Sequence, residues 1–91
     1  MAIDVYLPHG WQRLGIEQSH ISSEARSIGE LIELLEQRWP LLAKEWRGKN
    51  TPLVSHLKLF INGEQLAKEG AEAQELSSGD CVDVLLPISG G

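Results

Sequence analysis

The chain has a single cysteine, Cys81, in 91 residues. One thiol excludes an intrachain disulfide and any zinc site built from cysteines, and it suits a reducing compartment. Basic residues are also few: 8 Lys and Arg stand against 13 Asp and Glu, a formal charge of −5. A phosphate backbone is held by clustered cations, whereas these are scattered, so no nucleic-acid partner is expected. Long apolar runs are missing too. No stretch reaches the length of a membrane span, and the start, Met1 to Tyr6, lacks the basic-then-apolar order of a secretory signal. A cytoplasmic protein with its whole chain mature and no membrane partner is therefore expected. His9, His20 and His56 lack the short spacing of a preformed metal site, and no paired carboxylate completes one.

What is present is 42% apolar residues and 9 glycines. A chain of this size is a single domain near the lower limit for one core without disulfides or metal. Most apolar side chains are then committed to packing, with little room for a self-contained active site.

Ile3, Val5 and Leu7 alternate with Asp4 and Tyr6, the period of a half-buried strand, which Pro8 and Gly10 end. Residues 14–23 predict a second, weaker strand using Ile16, Gln18 and Ile21, with Gly15 as a turn residue. From Ser27 the period changes. Ile28, Leu31, Ile32, Leu35 and Trp39 recur at helical spacing, while Glu30, Glu33, Glu36, Gln37 and Arg38 take the polar positions. Ser27 with Glu30 reads as a capping box, the Ser hydroxyl accepting from the first turn and the Glu reaching back. Pro40 stops the helix; Leu41 to Arg47 fits a further short helical turn, and Gly48 to Pro52 is a loop by composition.

Alternation returns at Leu57, Leu59 and Ile61 against Lys58 and Phe60. Asn62-Gly63 follows, a strong hairpin signal because both residues tolerate positive φ, and Glu64 to Leu66 starts the return strand. A polar stretch, Ala67 to Glu75, leads to the turn Leu76-Ser77-Ser78-Gly79-Asp80. Val82, Val84 and Leu86 then alternate against Asp83 and Leu85. A lone amphipathic helix among half-buried strands must bury its stripe against them. The expected fold is α+β, a mixed four- to five-stranded sheet with one main helix across one face.

The last residues form a short extended exit from the final strand and finish on Gly90-Gly91. The plainer reading is a frayed tail. With glycine at ~7% of average composition, two terminal glycines arise by chance in roughly 0.5% of chains.

The block from Leu76 to Gly91 resembles the C-terminal motif of the small sulfur-carrier subunit of molybdopterin synthase and its relatives: a Gly-Asp turn, a last strand carrying valine, a proline soon after, and a terminal Gly-Gly. Ile61-Asn62-Gly63 is similar to the family's apolar-Asn-Gly turn, and Ser27 with Ile28, Leu31 and Leu35 to its capped helix. The strand leading to Leu7-Pro8, with Arg13 and Gly15 after it, is a looser match. The resemblance implies the ubiquitin-like β-grasp fold, as residues 1–86, with residues 87–91 as an extended tail. It also implies chemistry. An E1-like partner uses ATP to adenylate the Gly91 carboxylate, sulfur replaces AMP to leave a thiocarboxylate, and a second enzyme accepts that sulfur. The pathway it implies first is molybdopterin synthesis, with the large synthase subunit as acceptor. The chain would bind no cofactor stably and would not be an enzyme by itself.

The residue types suit that chemistry. A carboxylate becomes a useful electrophile once its oxygen is part of a good leaving group. Gly90 and Gly91 lack Cβ atoms, so the backbone can pass a narrow channel and approach ATP. Ile88 and Ser89 would be gripped as an extended strand, and Pro87 limits how far the tail folds back. If the three apolar series face the helix, Tyr6, Phe60 and Leu85 face away and are expected to form one exposed apolar patch, the face through which such carriers meet partners. The plainer reading is that single exposed apolar residues are common.

The remaining signals are structural in expectation. Cys81 lacks any Lys, Arg or His arranged to stabilise a thiolate and reads as inert. Trp39, Leu42 and Trp46 read as packing residues. Lys44, Arg47 and Lys49 form a mild positive cluster, read as a solvated face able to touch an acidic partner. The stretch from Pro40 to His56 is long for the thiamine-pathway carrier, which argues for a molybdopterin-type or cysteine-type one. Leu86 stands where the molybdopterin-type motif shows the first of two prolines. Two alternatives stay open. One is a carrier for cysteine or another sulfur-containing metabolite. The other is a ubiquitin-like modifier joined to target lysines through Gly91.

Overall fold

The structure, a computed structural model, describes residues 2–42, 58–67 and 70–85. Alternating side chains build its sheet. Strand β1 (Ile3–Tyr6) buries Ile3 and Val5 and exposes Tyr6. The last strand, β5 (Cys81–Leu85), buries Val82 and Val84 and exposes Leu85, and β3 (Lys58–Ile61) buries Leu59. With β2 (His20–Ser23) and the two-residue β4 (Glu64–Gln65), the described residues form one five-stranded sheet in the order β2-β1-β5-β3-β4. Strands β1 and β5 are parallel, and the other neighbours are antiparallel. A parallel pair needs a long crossover, and the chain between them carries α1 (Ile28–Arg38).

The helix begins as its sequence dictates. Ser27 is extended, and its Oγ accepts from the Glu30 amide at 3.1 Å. The reciprocal half of the expected capping box is displaced by one residue: Glu30 Oε1 accepts from the Arg26 amide, at 3.3 Å. The approach to the helix is fixed by a bridge between Ser27 and Glu75, in which Ile28 donates to the Gln74 carbonyl and Leu76 to the Arg26 carbonyl. This entry direction turns the Arg26 amide toward the first helical turn. At the other end Trp39 donates to the Leu35 carbonyl, and the Arg38 guanidinium lies 4.5 Å from the centre of the Trp39 ring. Ile28, Leu31, Ile32 and Leu35 pack against Ile3, Val5, Leu59, Val82 and Val84 in one core. Each such side chain contributes about 1.5–3 kcal/mol on burial. Gly29 lets the helix sit close to its neighbour, since a Cβ there would lie 3.0 Å from the Glu72 carbonyl oxygen.

Two segments differ from the sequence reading. Residues His9–Leu14 form a 3-10 helix capped by Gly15 at φ 87°. The expected strand over residues 14–23 is thereby shortened to His20–Ser23 and excludes Ile16 and Gln18. The reason is burial. The reversal at Gly15 brings the Ile16 amide to the Trp11 carbonyl and sends both side chains into the core, 1% and 0% exposed respectively. The polar stretch 67–75 holds a second 3-10 turn, Ala71–Ala73, with Ala71 buried. β4 stops at Gln65, and Leu66 follows it, half-buried against the core. Of the residues read as a further helical turn after Pro40, Leu42 is buried and Leu41 exposed. The rest of that turn, the loop 48–52, Leu57, Leu86, Trp46, His56 and the cluster Lys44, Arg47 and Lys49 lie outside the described residues.

Candidate functional site

Side-chain and backbone hydrogen bonds tie the head of β5 to two turns and to the start of the chain. Asn62 and Gly63 both have positive φ, 52° and 88°, and make the turn from β3 to β4. This turn brings the Asn62 side chain over the start of β5. Its Nδ2 donates to Asp80 Oδ1 at 3.0 Å, and its Oδ1 accepts from the Cys81 amide at 2.9 Å. The second Asp80 oxygen accepts from the Ser77 amide at 2.8 Å. Backbone bonds complete the clamp: Asp4 donates to the Asp80 carbonyl, and Gly79 to the Ala2 carbonyl. The Ser77 amide, and then the Asn62 amide, hold the Asp80 carboxyl below its usual range. Both turns are visible in the sequence, whereas the bonds that join them are not.

From that clamp β5 runs between β1 and β3 and presents its outer face, opposite the helix. Tyr6 and Phe60 both pair with Asp83, so the three form one row across the sheet. Leu85 lies two residues further on, opposite Lys58. All three expected outer residues do face away from the core; Tyr6 and Leu85 are 44% and 46% exposed, and Phe60 is half-buried. The strand register sets which charged residues lie among them. The parallel register sets Asp83, rather than Leu85, beside Tyr6, so a carboxylate separates the two aromatic rings and an ammonium flanks Leu85. The face is a mixed surface, apolar with charged residues between. Tyr6 is further held by His20, whose ring centre lies 4.8 Å away and whose Nε2 is 2.9 Å from Asp4 Oδ1.

Cys81 lies on the same face, beside Asp4. Burial first, then the Asp83 and Asp4 carboxylates, push its thiol above the ordinary value. Little thiolate is present at neutral pH, and a nucleophilic role has no electrostatic basis. Among the described residues no three His, Cys, Asp or Glu side chains are grouped to hold a metal ion, and no helix is long and apolar enough to cross a membrane.

The other expected site residues, Pro87, Ile88, Ser89, Gly90 and Gly91, lie outside the described residues. The described part of β5, central in the sheet, runs to Leu85. Gly91 is six residues beyond. Six residues span at most about 20 Å.

Comparison with known proteins agrees with this architecture. The CysO chain of the Amycolatopsis orientalis BexX/CysO complex superposes with a TM-score of 0.82 at 18% identity, over 98% of this chain and 99% of that one. SAMP1 from Haloferax volcanii gives 0.79 at 20% identity over 100% of both chains. A putative molybdopterin converting factor subunit 1 from Pyrococcus furiosus gives 0.64 at 23% identity, over 97% and 99%. At such identities the likeness is one of fold, the ubiquitin-like β-grasp. No curated protein sequence is significantly similar. The sequence model of the ThiS family matches residues 10–91, and on that match over most of its length the chain belongs to the ThiS family, with the ubiquitin-like fold of its sulfur carriers.

Proposed function

We propose that this protein carries sulfur as a thiocarboxylate on Gly91. The observation that carries the reading is the extent of the family match, which runs through Pro87-Ile88-Ser89-Gly90 to Gly91 itself. In the proposed cycle a separate E1-like enzyme binds the tail and lets the Gly91 carboxylate attack ATP, releasing pyrophosphate and leaving an acyl adenylate. A sulfur nucleophile then forms a C–S bond while the C–O bond to AMP breaks, and AMP departs with that electron pair. The chain supplies a reacting carbon, an unbranched approach at Gly90 and Gly91, and a rigid domain for the enzyme to grip. It is acted upon and does not catalyse.

For the pathway, the first reading is the small subunit of a molybdopterin synthase, delivering sulfur in the pocket of a large subunit. In the solved Helicobacter pylori molybdopterin-converting factor, subunits 1 and 2 form such a protein–protein complex. One observation favours a second reading: Leu86 occupies the place where the molybdopterin-type motif has its first proline. A carrier for cysteine or another sulfur-containing metabolite fits that departure, and the Amycolatopsis orientalis CysO chain was solved bound to BexX.

The test is incubation with extract of the source cells and ATP, followed by mass spectrometry of the intact protein. The expected result is exchange of one oxygen for sulfur at the C-terminus, lost on deleting Gly91 and with no change in thermal stability. Gly-Gly remnants on lysines of other proteins, without the thiocarboxylate, would replace this reading with protein modification. Neither product would overturn both.

A further inference from the structure

Asn62-Gly63 combines a reactive pair with a restraint on its reaction. The side-chain amide carbon of an asparagine is open to attack by the backbone nitrogen of the next residue, which closes a succinimide ring. The step is fastest where that next residue is glycine, because no Cβ hinders the nitrogen. Here the fold holds the electrophile. Asn62 Nδ2 donates to Asp80 Oδ1 at 3.0 Å, and Asn62 Oδ1 accepts from the Cys81 amide at 2.9 Å. The Asn62 amide in turn donates to the Cys81 carbonyl at 2.8 Å. Both heteroatoms on Cγ are thus tied to residues at the head of β5. Bringing Cγ within bonding reach of the Gly63 nitrogen breaks both ties.

From this geometry we propose that Asn62-Gly63 is a deamidation site that the fold keeps closed, and that opening of the clamp to Asp80 and Cys81 commits it to reaction. The Gly63 nitrogen gives up its proton to hydroxide and bonds to Asn62 Cγ. The Cγ–Nδ2 bond breaks, and its electron pair leaves with ammonia. The succinimide then takes up water. Opening at Cγ gives aspartate at position 62; opening at that residue's own backbone carbonyl gives isoaspartate, in which the chain runs through Cβ and Cγ. Either way the Gly63 nitrogen recovers a proton, and the sum is water consumed and ammonia released. Neither product rebuilds the clamp. An oxygen in the place of Nδ2 faces Asp80 Oδ1 across the 3.0 Å that the hydrogen bond now spans, two acceptors with no proton between them. Isoaspartate also lengthens the backbone of a turn whose two residues hold φ of 52° and 88°. The reaction therefore marks molecules in which the head of β5 has come loose, and it needs nothing from sulfur carriage.

The test is incubation of the full-length protein in mildly alkaline buffer, with and without denaturing guanidinium. Ion exchange reads the added negative charge, and peptide mapping separates aspartate from isoaspartate. In guanidinium, position 62 should convert many-fold faster than in the native protein. It should also convert ahead of Asn50, the other asparagine, whose β-branched successor Thr51 hinders attack. Without denaturant, Asp80→Ala should convert several-fold faster than the parent. If that variant does not fold, the parent in sub-denaturing guanidinium serves: conversion should rise in step with exchange of the Cys81 amide. Asn62→Asp should have a lower denaturant midpoint than the parent at neutral pH. Conversion of the native parent as fast as the unfolded one overturns the proposal. So does an Asp80→Ala rate equal to the parent's, conversion that stays flat while the Cys81 amide exchanges, or an Asn62→Asp midpoint at or above the parent's.

Discussion

The Asn62 side chain joins two turns far apart in sequence: its amide donates to Asp80 at 3.0 Å and its oxygen accepts from Cys81 at 2.9 Å. The same residue holds a φ of 52°, which Asn tolerates better than Ala. Asn62→Ala loses both bonds and strains the turn, with an expected cost of about 1–3 kcal/mol. Asn62→Gly keeps the turn and loses only the bonds, so its denaturant midpoint should fall between Ala and the parent.

Asp80 gives the fold an acid-sensitive contact. Its carboxyl is held below the ordinary value of 3.8 by the Ser77 and Asn62 donors. A depressed folded value means stability that is present above 3.8 and lost as pH falls through the folded value. Asp80→Asn should therefore be less stable than the parent at neutral pH, and the two should converge in acid. Melting curves at several pH values check this; a gap that widens below 3.8 would contradict it.

Trp11 is fully buried in the core. Trp11→Ala should cost about 3–5 kcal/mol in urea unfolding, and Trp11→Phe considerably less. The loss should be cooperative, with one transition, because the same cluster contains the sheet and the helix.

Leu85 is 46% exposed at the end of the central strand. Leu85→Glu should change stability by no more than about 0.5 kcal/mol. Yet under the proposed function it should slow ATP-dependent activation of Gly91, since this exposed side chain lies six residues before it in the chain. A surface plasmon resonance titration of the activating enzyme, beside a melting curve, separates the two effects. A large fall in melting temperature would mean that Leu85 packs in the core.

Much of this was legible because burial alternates with chemistry along the chain. Ile3 and Val5, Leu59, and Val82 and Val84 reveal their shared face by period alone, and Ser27 marks the helix start by its cap. Trp11 and Ile16 were not legible. Their common direction depends on a 3-10 turn whose geometry has no repeating pattern, and only Gly15 signals it. The neighbours on the outer face were hidden for a different reason: period assigns Tyr6, Phe60 and Leu85 to one side, but register decides what stands between them. Nothing within β1 or β5 announces that residue 6 meets residue 83. The displaced capping contact of Glu30 likewise depends on Gln74 to Leu76, remote in sequence.

The place of β5 has a consequence for how the molecule comes into being. Without it, β1 with β2 and β3 with β4 are two separate ribbons, each too small to persist alone in water. The strand that unites them is the last to be synthesised of the described five, and it leads directly into the segment that ends in Gly90-Gly91. A chain truncated before β5 or still emerging from the ribosome therefore has no completed sheet. Under the proposed chemistry, completion of the sheet acts as a licence: ATP is spent on the carboxylate only of molecules whose folding has finished.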